Sequence, residues 1–291
     1  MAQRYEELFR WLDWSVVGEK DDSLPQPGRL PHLAAAYLKA YLVMVNQKPE
    51  YHTDLYNYLR DHPALVWLIG FRLVANAGSP YGFDVASSVP TARHLRRKLG
   101  TLNPRVLAAL LAQTVKQAVA VMPGVGETVS VDIKHLYAQV KQNDPRVAVT
   151  GRYDPTCQPA GDPDCRLGVK RYHNQGEEEA DEAPPDKEYL WGYGTGVAVT
   201  QTADKDALVV GELTQPFNAN DVTYGLPLLD QARCSLGFPP RHVAADAAFD
   251  AWYMYQGPAE LGGIAAIALN LRGDPPIVLG PHDRPRCSCN G

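Results

Sequence analysis

No apolar run in this 291-residue chain reaches the roughly 18 residues that a membrane-spanning helix needs. The N-terminal stretch "MAQRYEELFRWLDW" carries acids and lacks the apolar core of a signal peptide. A soluble cytoplasmic protein with no membrane partner is expected. Cysteine is sparse: five residues, at 157, 165, 234, 287 and 289. An odd, scattered set excludes a disulfide framework. Cys287 and Cys289 form a C-x-C without a second pair, and Cys157, Cys165 and His173 fit no standard structural zinc spacing. Positive charge is not in excess, with 28 basic against 33 acidic residues and a net charge of −5, so the chain as a whole does not read as a nucleic-acid binder. A phosphate loop is missing too. "GYGTGVAVT" lacks the G-K-[ST] ending and a following helix. It reads as a twisted strand whose glycines let another backbone come close. There is no internal repeat.

What is present is an uneven charge distribution. Between Val85 and Gly126 stand six basic residues (Arg93, Arg96, Arg97, Lys98, Arg105, Lys116) and no acid. Between Glu177 and Glu188 stand seven acids and one lysine. The first stretch suits a polyanion and the second repels one. An apolar content of 45% is enough for a sizeable core, in one large domain or two ordinary ones.

Residues 1 to about 120 read as helical. "LPHLAAAYLKAYLVMV" has helical composition after Pro31, and "YHTDLYNYLRDHPALVWLIGF" is interrupted at Pro63. One helix follows Thr91 as N-cap, and another starts near Pro104, a residue suited to a first turn. After "PGVGE" the pattern changes. "TVSVDIKHLYAQV" is a strand, and a polar, Pro-rich stretch runs from Asn143 to Gly168. "VKRYHNQ" and "YLWGYGTGVAVTQTA" form a hairpin around a disordered acidic loop, 174–188. "ALVVGELTQ" is a strand, "DVTYGLPLLDQARCSLG" a helix, "RHVAADA" a strand, "FDAWYMYQGPAELG" a helix and "IAAIALNLRG" a strand. The expected fold is α/β: a mixed sheet with an antiparallel side and parallel crossovers, preceded by a helical domain.

Asp132 in "VSVDIKH" and Asp246 in "VAADAAF" each follow a short apolar β-type run. A strand-end Asp alone is read first as a helix cap or turn residue. Two of them at matching heights on neighbouring strands repel each other and favour a cation. Mg²⁺ (or Mn²⁺) suits them, since it takes oxygen ligands and keeps waters for phosphates. Two such ions about 4 Å apart hold the attacking and leaving oxygens of a phosphodiester.

The stretches "VSVDIKHLYA", "YGTGVAVT", "RHVAADAAFDAWYMY" and "IAAIALNLRG" resemble the catalytic core of DDE-type insertion-sequence transposases, and "HPALVWLIGF" with "VPTARHLRRKL" resembles their helical N-terminal region. The resemblance spans residues from about 50 to the end. It implies an RNase H-like core over 125–275, a helical DNA-binding domain over 1–122 and an irregular tail over 276–291. It implies Asp132, on the first core strand, and Asp246, after the fourth, as catalytic metal ligands. It places Asn270 and Arg272 near the DNA or the site, and Arg93, Arg96, Arg97 and Lys98 on DNA phosphates. The partners are then double-stranded DNA, as terminal inverted repeats and target, and further copies of the chain, since two ends must be joined.

The family's third acid, a Glu on a helix beyond the last strand, has no match. Glu260 precedes that strand, and Asp274 and Asp283 lie in Pro-rich irregular sequence. The expectation is a truncated transposase with weakened metal binding and impaired strand transfer. The alternative is a non-catalytic DNA-binding or dimerising remnant that could inhibit a full-length enzyme. An unrelated metal-dependent nuclease requires Asp274 or Asp283 to complete the site. His135 reads as a packed histidine at the core's edge, Lys134 shares the strand face of Asp132, and Trp191, Tyr193, Trp252, Tyr253 and Tyr255 read mostly as core or sheet cover rather than base-stacking platforms.

Overall fold

A computed structural model describes residues 2–18, 31–171, 187–202 and 206–270. The chain divides into two compact units, Met1–Val121 and Met122–Gly291.

The first unit is helical: α1 (Ala2–Trp11), α2 (Ala34–Gln47), α3 (His52–Asp61), α4 (Pro63–Ile69), α5 (Val85–Ser88), α6 (Ala92–Leu99) and α7 (Pro104–Val121), with a minimal antiparallel pair, β1 (Val74–Ala75) and β2 (Phe83–Asp84), before α5. Pro63 separates α3 from α4 and opens α4 at its first turn, where the missing N–H has no intrahelical partner to lose. Leu55 and Leu59, one turn apart on α3, are buried with Leu65, Val66 and Ile69 of α4 and Leu95 of α6.

The second unit is built on a six-stranded mixed sheet: β3 (Thr128–Tyr137), β4 (Arg166–Arg171), β5 (Lys187–Gln201), β6 (Ala207–Pro216), β7 (His242–Ala245) and β8 (Ile264–Ile267). β5 pairs antiparallel with β3, β4 and β6. β3 and β7 are parallel, as are β7 and β8, through crossovers carrying α8 (Val222–Leu236) and α9 (Trp252–Glu260). Along β3, Val129 and Val131 are buried while Ser130, Asp132 and Lys134 are exposed, so the sheet has one covered face and, at this strand, one open face. α8 lies on the covered face. A Cβ on Gly196 would stand 2.8 Å from Leu228 and from Tyr224, so these glycines admit side chains of α8. The close backbone approach expected of this run occurs at Gly192, where a Cβ would stand 2.2 Å from the carbonyl oxygen of Leu136.

Several local expectations need correction. Lys187 and Glu188, expected in the acidic loop, belong to β5 and pair with Arg171 and Lys170, because the hairpin ladder outlasts the local charge pattern. The rest of that loop, 174–186, lies outside the described residues, as do 172–173. The hairpin's first arm begins at Arg166, earlier than the expected 169. The last strand ends at Ile267, short of Asn270, and 271–291 lie outside the described residues. The stretch 143–165 is not a loose connection. It packs on Trp191, which is fully buried with Ala138, Val140 and Cys165. Asn143 Nδ2 donates to the carbonyls of Ala138 (2.8 Å) and Trp191 (2.7 Å), and the Trp191 indole donates to the carbonyl of Arg152 (2.8 Å). Among the described residues, no helix is long and apolar enough to cross a membrane.

Candidate functional site

The parallel register of β3 and β7 runs from Thr128 opposite His242 to Val131 opposite Ala245. The next residues are Asp132, still within β3, and Asp246, which begins the 3-10 turn after β7. Neighbouring strands lie about 4.8 Å apart and side chains in register share a face, so the two acids leave the paired stretch at one height. Buried Val129, Val131 and Val243 pin both strands, and the alternating pattern then leaves Asp132 outside.

Each carboxylate uses one oxygen locally. Asp132 Oδ1 accepts from the Ile133 amide at 2.8 Å. Asp246 Oδ1 accepts from the Ala248 amide at 3.0 Å and caps the short 3-10 turn Ala247–Phe249. The ordinary capping role of a strand-end Asp is therefore present at Asp246, and it does not exhaust the group. Among the described residues, Oδ2 of neither acid makes a hydrogen bond. Two exposed carboxylates, each with an oxygen to spare, fit a hard dication that takes one or two carboxylates and keeps its waters. Among the described residues no group of three or more His, Cys, Asp or Glu gathers to hold a metal. Cys157, Cys165 and Cys234 carry free thiols.

One further carboxylate feels this pair and was missed in the sequence. Asp221 precedes α8, half-buried and without a cap hydrogen bond from its side chain. Burial raises its pKa above the usual carboxylate value, His135 opposes that shift, and the charges of Asp246 and Asp132 add to it. The only sequence signal was an Asp at a helix start, which reads as a cap. Asp221 does not complete the pair as a third ligand. α8 lies on the covered face, and His135, an odd number of residues from Asp132, alternates to that face as well. The His135 ring sits 4.4 Å from that of Phe217, and burial holds its pKa below the ordinary histidine value. Lys134 is exposed on the face of Asp132.

Glu260 ends α9 and lines a cleft with Pro240 and Val243, at the entry end of β7 and away from Asp246. Asn270 is exposed, and its amide donates to Asp250 Oδ2 at 2.8 Å. Arg272, Asp274 and Asp283 lie outside the described residues. Of the aromatics, Trp191 is buried, Tyr193 donates to Asp162 and Tyr255 to Asp250. Trp252 is 72% exposed, so it is neither core nor sheet cover.

In the first unit, the Thr91 hydroxyl caps α6 by accepting from the His94 amide at 3.3 Å. Leu95 is fully buried, which turns Arg93, Arg96 and Arg97 outward on one exposed face at helical spacing. Lys98 differs. It is half-buried, with its ammonium 5.8 Å from the centre of the Tyr37 ring.

Comparison with protein-family models, with curated proteins and with solved structures finds no match in any of the three.

Proposed function

We propose that the chain is a DNA-cleaving and DNA-joining protein of the DDE transposase type with an RNase H-like core. The observation that carries this reading is the parallel register of β3 and β7, which ends at Val131 opposite Ala245 and has Asp132 and Asp246 as the next residue on either side. Strand order supports it. With β4 set aside as an addition to the hairpin, Asp132 lies on the first core strand, and Asp246 follows the fourth.

Mg²⁺ or Mn²⁺ at this pair would neutralise phosphodiester charge and supply an acidified water. Asp132 and Asp246 would hold the ion, while the amides of Ile133 and Ala248 orient their carboxylates. The arginines of α6 grip phosphates of double-stranded DNA, a salt-dependent and sequence-independent contribution. Joining two terminal repeats to a target calls for more than one copy of the chain.

Calorimetric titration with Mg²⁺ and Mn²⁺ tests this on the parent and on Asp132→Asn and Asp246→Asn. Binding that either substitution abolishes makes the two acids one metal site. A parent that binds neither ion at millimolar concentration sinks the reading.

A second reading has one observation in its favour: among the described residues no third acid joins the pair. The chain is then a DNA-binding or dimerising protein without strand-transfer activity, able to inhibit a complete enzyme. Duplex binding with no Mn²⁺-dependent nicking would favour it.

A further inference from the structure

Four residues past Asp246 the chain carries a second carboxylate, Asp250, which is engaged on both oxygens. Oδ1 accepts from the Tyr255 hydroxyl at 2.9 Å, and Oδ2 accepts from the Asn270 amide at 2.8 Å. The donors belong to different elements. Tyr255 is on α9, and Asn270 lies on the segment leaving β8.

The need for this bridge follows from the ladder. β7 and β8 pair only as far as Ala245 opposite Ile267, and the last bond between the two segments runs from the Ala268 amide to the Ala245 carbonyl at 3.3 Å. At Asp246 the β7 chain turns off into the 3-10 turn, so the segment after β8 loses its backbone neighbour. A main-chain amide leaving a ladder needs another acceptor. Asp250 closes that turn, its own amide donating to the Ala247 carbonyl at 3.3 Å, and its carboxylate takes over as acceptor for Asn270. The turn that begins with Asp246 thus ends with the group that holds Asn270.

We propose that Asp250 is a positioning residue for the site. It fixes the exit of β8, and with it Asn270, at a set distance from the Asp132 and Asp246 pair. The role rests on the metal reading above. A carboxylate suits the task because it offers an acceptor to each donor and makes shorter, stronger bonds than a neutral group. Asp250→Ala loses both bonds. Asp250→Asn restores both, because its carbonyl accepts from Asn270 and its amide donates to the Tyr255 oxygen.

Paramagnetic broadening by Mn²⁺ separates positioning from plain stability. In the folded parent, Mn²⁺ broadens the amide signals of both Lys134 and Asn270. In Asp250→Ala the Lys134 effect stays, the Asn270 effect falls severalfold, and Asp250→Asn brings it back. An Asn270 effect that is unchanged in Asp250→Ala overturns the proposal. Absence of broadening at both residues in the parent overturns the metal site, and the positioning role with it. Hydrogen exchange in the parent guards against an Asp250→Ala chain that does not fold. The Asn270 amide is expected to exchange at least about tenfold more slowly than the exposed Leu269 amide. Equal rates would show that the Asp250 bond does not hold in solution.

Discussion

The phenol of Tyr193 donates a 2.6 Å hydrogen bond to Oδ1 of Asp162, which also accepts from the amides of Asp164 and Cys165 at 3.2 Å each. Tyr193 shares its face of β5 with Thr195 and Val197, and Val197 is the strand partner of Asp132. The bond therefore anchors the 138–165 segment to the sheet face that presents the acids.

Burial and the bond to Asp162 raise the Tyr193 pKa well above that of a free tyrosine. The folded protein then holds this proton more tightly than the unfolded chain. The associated stability is fully present below the ordinary tyrosine value of about 10 and is lost as pH rises through the folded value. Chemical denaturation from pH 8 to 11 should show the decline, and Tyr193→Phe should reduce it. At pH 8 the substitution should cost about 2 kcal/mol, as for a hydrogen bond to a charged group.

Asp221 gives a trend of the same sign at lower pH. Its pKa is raised, first by burial and then by Asp246 and Asp132 against His135. The stability it carries is present below the unfolded carboxylate value near 3.9 and lost as pH rises through the raised one. Asp221→Asn should therefore raise the melting temperature at pH 7 and leave it nearly unchanged at pH 3.5. Equal melting at pH 7 would contradict the burial assigned to this group.

Arg93, Arg96 and Arg97 project from α6 while Leu95 anchors it. Replacing all three with Gln should change stability by less than about 0.5 kcal/mol per site, as for exposed positions. If all three bind DNA phosphates, the slope of log affinity against log salt should shallow by roughly 2.7, about 0.9 for each phosphate no longer neutralised. Fluorescence anisotropy with a labelled duplex at several salt concentrations measures this. An unchanged slope would remove α6 from the DNA-binding surface.

Two glycines of β5 should respond differently to alanine. At Gly192 the added Cβ meets the Leu136 carbonyl oxygen at 2.2 Å, and paired backbone cannot yield. At Gly196 it meets the tips of Leu228 and the ring of Tyr224 at 2.8 Å, and side chains can shift. Gly192→Ala should cost about 3 kcal/mol or more and Gly196→Ala about 1–2 kcal/mol, as urea denaturation would show.

The sequence alone determined the α/β class, the helical first half and the order of strands and helices after Gly126. Those features are written in local periodicity, in Pro63 and Pro104, and in the Thr91 cap. It also drew attention to Asp132 and Asp246, because each follows a short apolar run. Tertiary structure decided what pairing and packing control. The parallel register of β3 and β7 brings the two acids to one height, a relation between residues more than a hundred positions apart that no window of sequence holds. The start of α8 half-buries Asp221 while keeping it in the field of both acids. The turn after Asp246 brings Asp250 to Asn270. The stretch 143–165 looked irregular because side chains hold it to Trp191 in place of a backbone ladder, and such bonds leave no period to read.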